Sequence, residues 1–203
     1  MLQITLNQIS HTYSERKVFD GVNLSLKSGA RLLVRGSNGS GKTTLLKILA
    51  GLLTPSSGTL EIKEDGQVEK DAWSRRWIGY LSPELTLYEE LSSLENLDFF
   101  ARMRGLPADV GGQTLLERVG LGDRMNDPVG TLSTGLRQRA KLAFALQPEP
   151  KLLLLDEPGS NLDADGRNLL DTVLEAADTR SIVVLATNEG GEPAWGTDTF
   201  ALD

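Results

Sequence analysis

The 203-residue chain has no cysteine, a single histidine (His11), and aromatic side chains at only 5% of positions. Without thiols neither a disulfide framework nor a thiolate metal site can be built, which fits a reducing cytosol. One histidine leaves zinc chemistry almost without ligands. No apolar run approaches the roughly 20 residues that span a bilayer. The opening MLQITLNQIS has neither the basic start nor the apolar stretch of a signal peptide. A soluble chain is expected, with any membrane role peripheral. Basic residues are also in deficit: 21 Lys and Arg stand against 28 Asp and Glu, a net charge of −7. That balance repels a phosphate backbone, so no nucleic-acid partner is expected. The length suits one domain around one substantial core, and no repeat, linker or low-complexity tract divides it.

What is present is a pattern of strands and helices in alternation. Leu2, Ile4 and Leu6 alternate with polar residues, as do Val22, Leu24 and Leu26, which predicts half-buried strands in an antiparallel flank. Leu32 to Val34, Leu152 to Leu155 and Ile182 to Leu185 are instead continuous apolar runs, the mark of strands covered on both faces. Helix-like stretches follow the first two, at Lys42 to Leu52 and Ala164 to Ala177, as parallel connections require. The fold class expected is α/β, a central mainly parallel sheet with an antiparallel β flank. Helical spacing over Ser92 to Met103, Gln113 to Val119 and Leu136 to Leu146 adds a helical insert, approximately 82–145, within a single domain of residues 1–203. Gly105-Leu106-Pro107 and the Gly120 to Gly130 region punctuate that insert as turns.

Gly36, Ser37, Asn38, Gly39, Ser40, Gly41, Lys42, Thr43 and Thr44 read GSNGSGKTT. This satisfies G-x-x-x-x-G-K-[ST] between a buried strand and a helix. Glycines let backbone N–H groups converge on phosphates, the helix start adds positive potential, Lys42 meets the β- and γ-phosphates, and Thr43 offers a hydroxyl to Mg²⁺. Leu152 to Leu155 run into Asp156 and Glu157. At such a strand end the first carboxylate can hold Mg²⁺ and the second can polarise an attacking water, although solvated acids at a strand end are also ordinary. Ser133 opens the stretch LSTGLRQR at a position suited to capping a helix.

Together these motifs resemble the ABC ATP-binding subunits, whose signature usually reads LSGGQ and here reads LSTGL, with Ser133 and Gly135 in place. The resemblance runs over essentially the whole chain. It includes Ser160-Asn161-Leu162-Asp163 at the place of the D-loop and Tyr13 at the place of the aromatic that stacks on adenine, a position where a tyrosine can also be a plain edge residue. It implies an ATPase with ATP and Mg²⁺ as ligands, and a head-to-tail dimer in which Ser133 and Gly135 of a second copy meet the γ-phosphate. It further implies a separate membrane permease as partner and a peripheral place on the cytoplasmic face of the inner membrane. The small size and the LSTGLRQR form are similar to minimal bacterial exporter subunits such as that of the haem exporter of cytochrome c assembly.

Two positions depart from the family pattern. Where a glutamine usually contacts Mg²⁺ and water the chain has Pro83, with Glu84 adjacent as a possible ligand or as part of a plain turn. After the run Ile182 to Thr187, taken as the last core strand, the family's switch histidine is replaced by Asn188, a neutral donor that cannot titrate. Slow turnover is expected. The alternative function is an ATP-gated binding or regulatory module with little hydrolysis.

Overall fold

The structure, a computed structural model, describes residues 1–68, 77–106, 111–188 and 198–202. In chain order it forms β1 (Leu2–Tyr13), β2 (Arg16–Lys27), β3 (Arg31–Arg35), α1 (Lys42–Leu49), β4 (Ser57–Glu64), β5 (Gln67–Val68) and β6 (Ile78–Leu81). Then come α2 (Ser93–Arg104), α3 (Gly112–Arg118), α4 (Thr134–Leu146), β7 (Leu152–Asp156), α5 (Ala164–Glu175), β8 (Ile182–Thr187) and β9 (Asp198–Ala201). The expected turn residue Pro107 and the terminal Asp203 lie outside the described residues.

Two sheets carry the architecture. One is antiparallel, in the order β2-β1-β4-β5; the other is parallel throughout, in the order β6-β7-β8-β3-β9. The continuous apolar runs are explained by the two faces of the parallel sheet. Leu32, Val34, Leu152, Leu154, Ile182 and Val184 point to a core shared with α1 and the antiparallel sheet. Their neighbours Leu33, Leu153, Leu155, Val183 and Leu185 point to a second core filled by the helices α2 to α5. Every residue of β7 is buried as a result, and truncating one such leucine to alanine costs about 2–5 kcal/mol.

Among the described residues, three of the five α-helices lie between β6 and β7 in the chain. A capping box starts α2: Ser92 Oγ accepts from Glu95 N, and the Glu95 carboxylate accepts from Ser92 N at 2.8 Å. Gly105, left-handed at φ 65°, ends it. Asn96, fully buried, grips the preceding loop by accepting from Tyr88 N at 2.8 Å and donating to Tyr88 O at 2.9 Å. Ser133 caps α4 by accepting from Leu136 N. Farther along, α4 lies so close to β6 that a Cβ at Gly79 would overlap the carbonyl of Ala145.

The α/β expectation is borne out, with helix ends shifted by a few residues. Strands β4, β5 and β9 were not expected. Ile182 to Thr187 is not the last core strand, because β9 adds in parallel beside β3. Of its residues Asp198, Thr199, Phe200 and Ala201 only Phe200 is partly buried, so the edge strand carries no apolar run to announce it.

Candidate functional site at the carboxyl edge of the parallel sheet

In an open parallel sheet, ligands settle beyond the carboxyl ends of the strands. Here β3, β7 and β8 end side by side, since Asp156 registers with Ala186 and Arg35 with Thr187. The loop 36–41 therefore starts one strand away from the acidic end of β7, with the end of β8 between them. The geometry demands glycine at two points. A Cβ at Gly36 would overlap Ser40 Oγ and the Leu202 carbonyl, while at Gly41, φ 104°, it would sit 2.6 Å from Val18 and 2.8 Å from Phe19.

Lys42, buried, threads back through this loop and donates to the carbonyls of Gly36 at 2.7 Å and Ser37 at 3.2 Å. Its ammonium lies 3.9 Å from Glu157 Oε1. Thr43 Oγ1 donates to Asp156 Oδ2 at 2.6 Å. Burial pushes the Asp156 carboxyl above its ordinary range, opposed by the Thr43 hydrogen bond and by Lys42. Burial also raises Glu157, opposed by the Thr187 hydroxyl, Lys42 and the Asn188 backbone N–H.

The residues around loop 36–41 fit a bound nucleoside triphosphate. Ser40 Oγ is buried with no partner, the Lys42 charge is held inside the loop, and Gly39, left-handed at φ 84°, leaves its outer face open apart from the Arg16 guanidinium 3.8 Å away. Among the described residues no group of three His, Asp or Glu forms a metal cluster. Thr43 and Asp156 are two adjacent oxygen groups that would fit a Mg²⁺ shell completed by phosphates and water.

The other expected site residues are placed as follows. Asn188, exposed, donates its amide to Asn38 Oδ1 at 2.9 Å, so it does reach the loop. Thr44 is buried beneath α1's first turn. Glu84 is paired with Lys47 of α1 at 2.9 Å, its side chain facing solvent. Tyr13, 48% exposed, sits across the hairpin from Arg16 and edge-on to His11 at 4.6 Å. Ser133 is exposed and Gly135 faces the Asn161 carbonyl; neither hydrogen-bonds to residues 36–44 of its own chain among the described residues. Sequence reasoning missed Thr187 and Gln138, although both lie within the motifs it used. A cavity of about 1180 Å³ opens at the opposite edge of the sheet, near Lys151, Ser181 and Arg118, and includes none of these residues.

Residues 19–160 match the ABC transporter family. The chain belongs to that family. It is 36% identical over 205 residues to the ergothioneine transport ATP-binding protein EgtV of Helicobacter pylori, covering 98% of this chain and 96% of that protein. To the cytochrome c biogenesis ATP-binding export protein CcmA of Xanthomonas oryzae it is 37% identical, covering 94% and 88%. The linearmycin resistance ATP-binding protein LnrL of Bacillus subtilis is 32% identical over 89% of this chain, which spans only 59% of that longer relative. A dimeric ATP-binding cassette, solved in a post-hydrolysis state with ADP and phosphate, superposes with a TM-score of 0.84 at 26% identity, covering 98% of this chain and 94% of that one. No helix among the described residues is long and apolar enough to cross a membrane.

Proposed function

We propose that this chain is the ATP-binding and ATP-hydrolysing subunit of an ABC exporter, closing as a dimer on Mg-ATP to drive a separate membrane permease. The observation that carries this reading is the convergence of Lys42, Thr43, Asp156 and Glu157 at one sheet edge, with Lys42 held inside the loop 36–41. Lys42 meets the β- and γ-phosphates, Thr43 and Asp156 hold Mg²⁺, and Glu157 orients water for attack on the γ-phosphorus. Water adds, the bond to the β-phosphate oxygen breaks, and ADP and phosphate leave. Bound Mg²⁺ supplies charge neutralisation along the phosphates.

Ser133 is exposed and Gly135 partly exposed at the start of α4, and neither bonds to loop 36–41 of its own chain among the described residues, which suits a signature supplied to the second copy's ATP. The whole of 1–203 then acts as one domain, with the helical insert 82–145 facing the permease on the cytoplasmic side. The segment Leu85 to Leu91 is the docking element in this reading. Tyr88 and Phe99 stack edge-to-face at 5.2 Å while 48% and 38% exposed, with Met103 beyond them at 70%. Such an apolar patch on an otherwise charged chain marks a partner surface. Cargo is chosen by the permease.

The test is Glu157→Gln, which removes the water-orienting carboxylate and leaves the binding groups in place. An ATP-dependent dimer of this variant by light scattering is expected, as is co-purification of the wild type with its permease. A variant that stays monomeric in Mg-ATP rejects the sandwich. A second reading, an ATP-gated module with little hydrolysis, is favoured by Pro83 and Asn188 and is separated by wild-type turnover.

A further inference from the structure

We infer that Thr187 is the positioning residue for the Glu157 carboxylate. Its hydroxyl donates to Oε2 at 3.2 Å and leaves Oε1 turned toward Lys42. This rests on the proposed hydrolytic role of Glu157.

The need for such a group follows from the backbone. Glu157 is a non-glycine residue at φ 50°, in the left-handed region, and three hydrogen bonds hold it there. Its N–H donates to Ala186 O at 2.8 Å, and its carbonyl accepts from Ser160 N at 3.1 Å and Ser160 Oγ at 2.8 Å. A fixed Cα still leaves a glutamate three side-chain torsions, so the carboxylate needs its own restraint. Lys42 at 3.9 Å is beyond hydrogen-bonding reach. The donors that orient the carboxylate are the Thr187 hydroxyl and the Asn188 backbone N–H, both from the end of β8. The placement is a product of register: Ala186 pairs with Asp156, so the next residue on β8 stands beside the next residue after β7.

The same dipeptide reaches the phosphate loop through the Asn188 side chain and Asn38. Thr187-Asn188 is thereby a strap between loop 36–41 and the water-orienting carboxylate. A threonine is suited to the post because its β-branched side chain completes the strand while its hydroxyl donates.

The experiment is single-turnover hydrolysis of Mg-ATP by the full chain, with ATP affinity measured separately by calorimetry. Thr187→Val keeps the shape and removes the donor; it is expected to slow hydrolysis about tenfold while affinity stays within about twofold, one charge-assisted hydrogen bond being lost. Thr187→Ser retains the donor and is expected within about threefold of wild type. On a Glu157→Gln background Thr187→Val should add less than about twofold, since the carboxylate it positions is gone. Thr187→Ala is run beside valine as a second donorless variant. Wild-type rates in both donorless variants overturn the inference, as does equal slowing by serine and valine, or an affinity loss that matches the rate loss. A wild type that binds ATP without hydrolysing it, or an undiminished Glu157→Gln, instead overturns the reading beneath it.

Discussion

Gln138 of α4 donates its side-chain amide to the carbonyl of Pro158 at 3.1 Å, fastening the helix that begins after Ser133 to the residue next to Glu157. Both groups are buried, so the bond is shielded from competing water. In the dimer proposed above, the start of α4 serves one ATP and Glu157 the other. The two sites are then joined inside each chain by this amide.

Gln138→Ala strands the Pro158 carbonyl and is expected to destabilise the fold by about 1–3 kcal/mol, lowering Tm by roughly 2–4 °C for each kcal/mol. Hydrolysis should slow more than ATP affinity weakens. Thermal melting and single-turnover assays on the same preparation check both, and an unchanged Tm would show that water replaces the amide.

Lys42→Ala should weaken Mg-ATP binding by at least about a hundredfold, because a buried cation that answers the phosphates is removed and no other lysine among the described residues lies inside the loop. Calorimetry gives the answer directly. Wild-type-like affinity would remove loop 36–41 from the nucleotide site.

Much of this was legible from residue order. The Gly36 to Thr44 phosphate-loop motif, the Asp156-Glu157 strand end and the Ser133 cap are local patterns, and the chemistry each residue type can perform is fixed by its side chain. Both-face burial of Leu152 to Leu155 followed from an uninterrupted apolar run. Phe200 and its neighbours in β9 could not be read, because an edge strand of four residues with one half-buried side chain has no period. Thr187 and Gln138 escaped for another reason. Their partners, Glu157 and the Pro158 carbonyl, are 30 and 20 positions away, and only strand register and helix packing bring them within reach.

Asn188→His is expected to raise turnover about tenfold if the neutral amide limits stabilisation of the charge developing around the γ-phosphate. The imidazole would have to forgo the bond that Asn188 now makes to Asn38. ATP affinity should hardly change. Single-turnover hydrolysis at matched occupancy, with and without the permease, is the measurement; equal or slower rates in both would clear this position of limiting the reaction.

Asp156→Asn should stabilise the nucleotide-free protein at pH 7. Burial raises the Asp156 carboxyl, so its ionised form is less at ease in the fold than in the unfolded chain. Stability then falls as pH rises through the raised folded value and is regained below it. Asparagine keeps the shape and can still accept from Thr43, but carries no charge. A higher Tm than wild type is expected at pH 7, by roughly 2–4 °C per kcal/mol relieved, with the gap closing on acidification. With Mg-ATP present the order should invert, since the variant lacks the metal's carboxylate. Differential scanning calorimetry across pH reads both limbs, and a lower Tm for the variant at pH 7 without nucleotide would contradict the sign.

The close approach of α4 to β6 at Gly79 has a mechanical consequence. No side chain stands between the Gly79 backbone and the Ala145 carbonyl, so strand and helix bear on one another as two rigid rods with nothing compressible in the joint. The strand runs on directly into Ser82 to Leu91, and the helix starts beside Ser133. In the exporter proposed above, a load on Leu85 to Leu91 would meet α4 at this contact of main chain with main chain. A methyl group at position 79 would act as a wedge in that linkage, prying the helix off the sheet edge and lengthening the lever at its fulcrum.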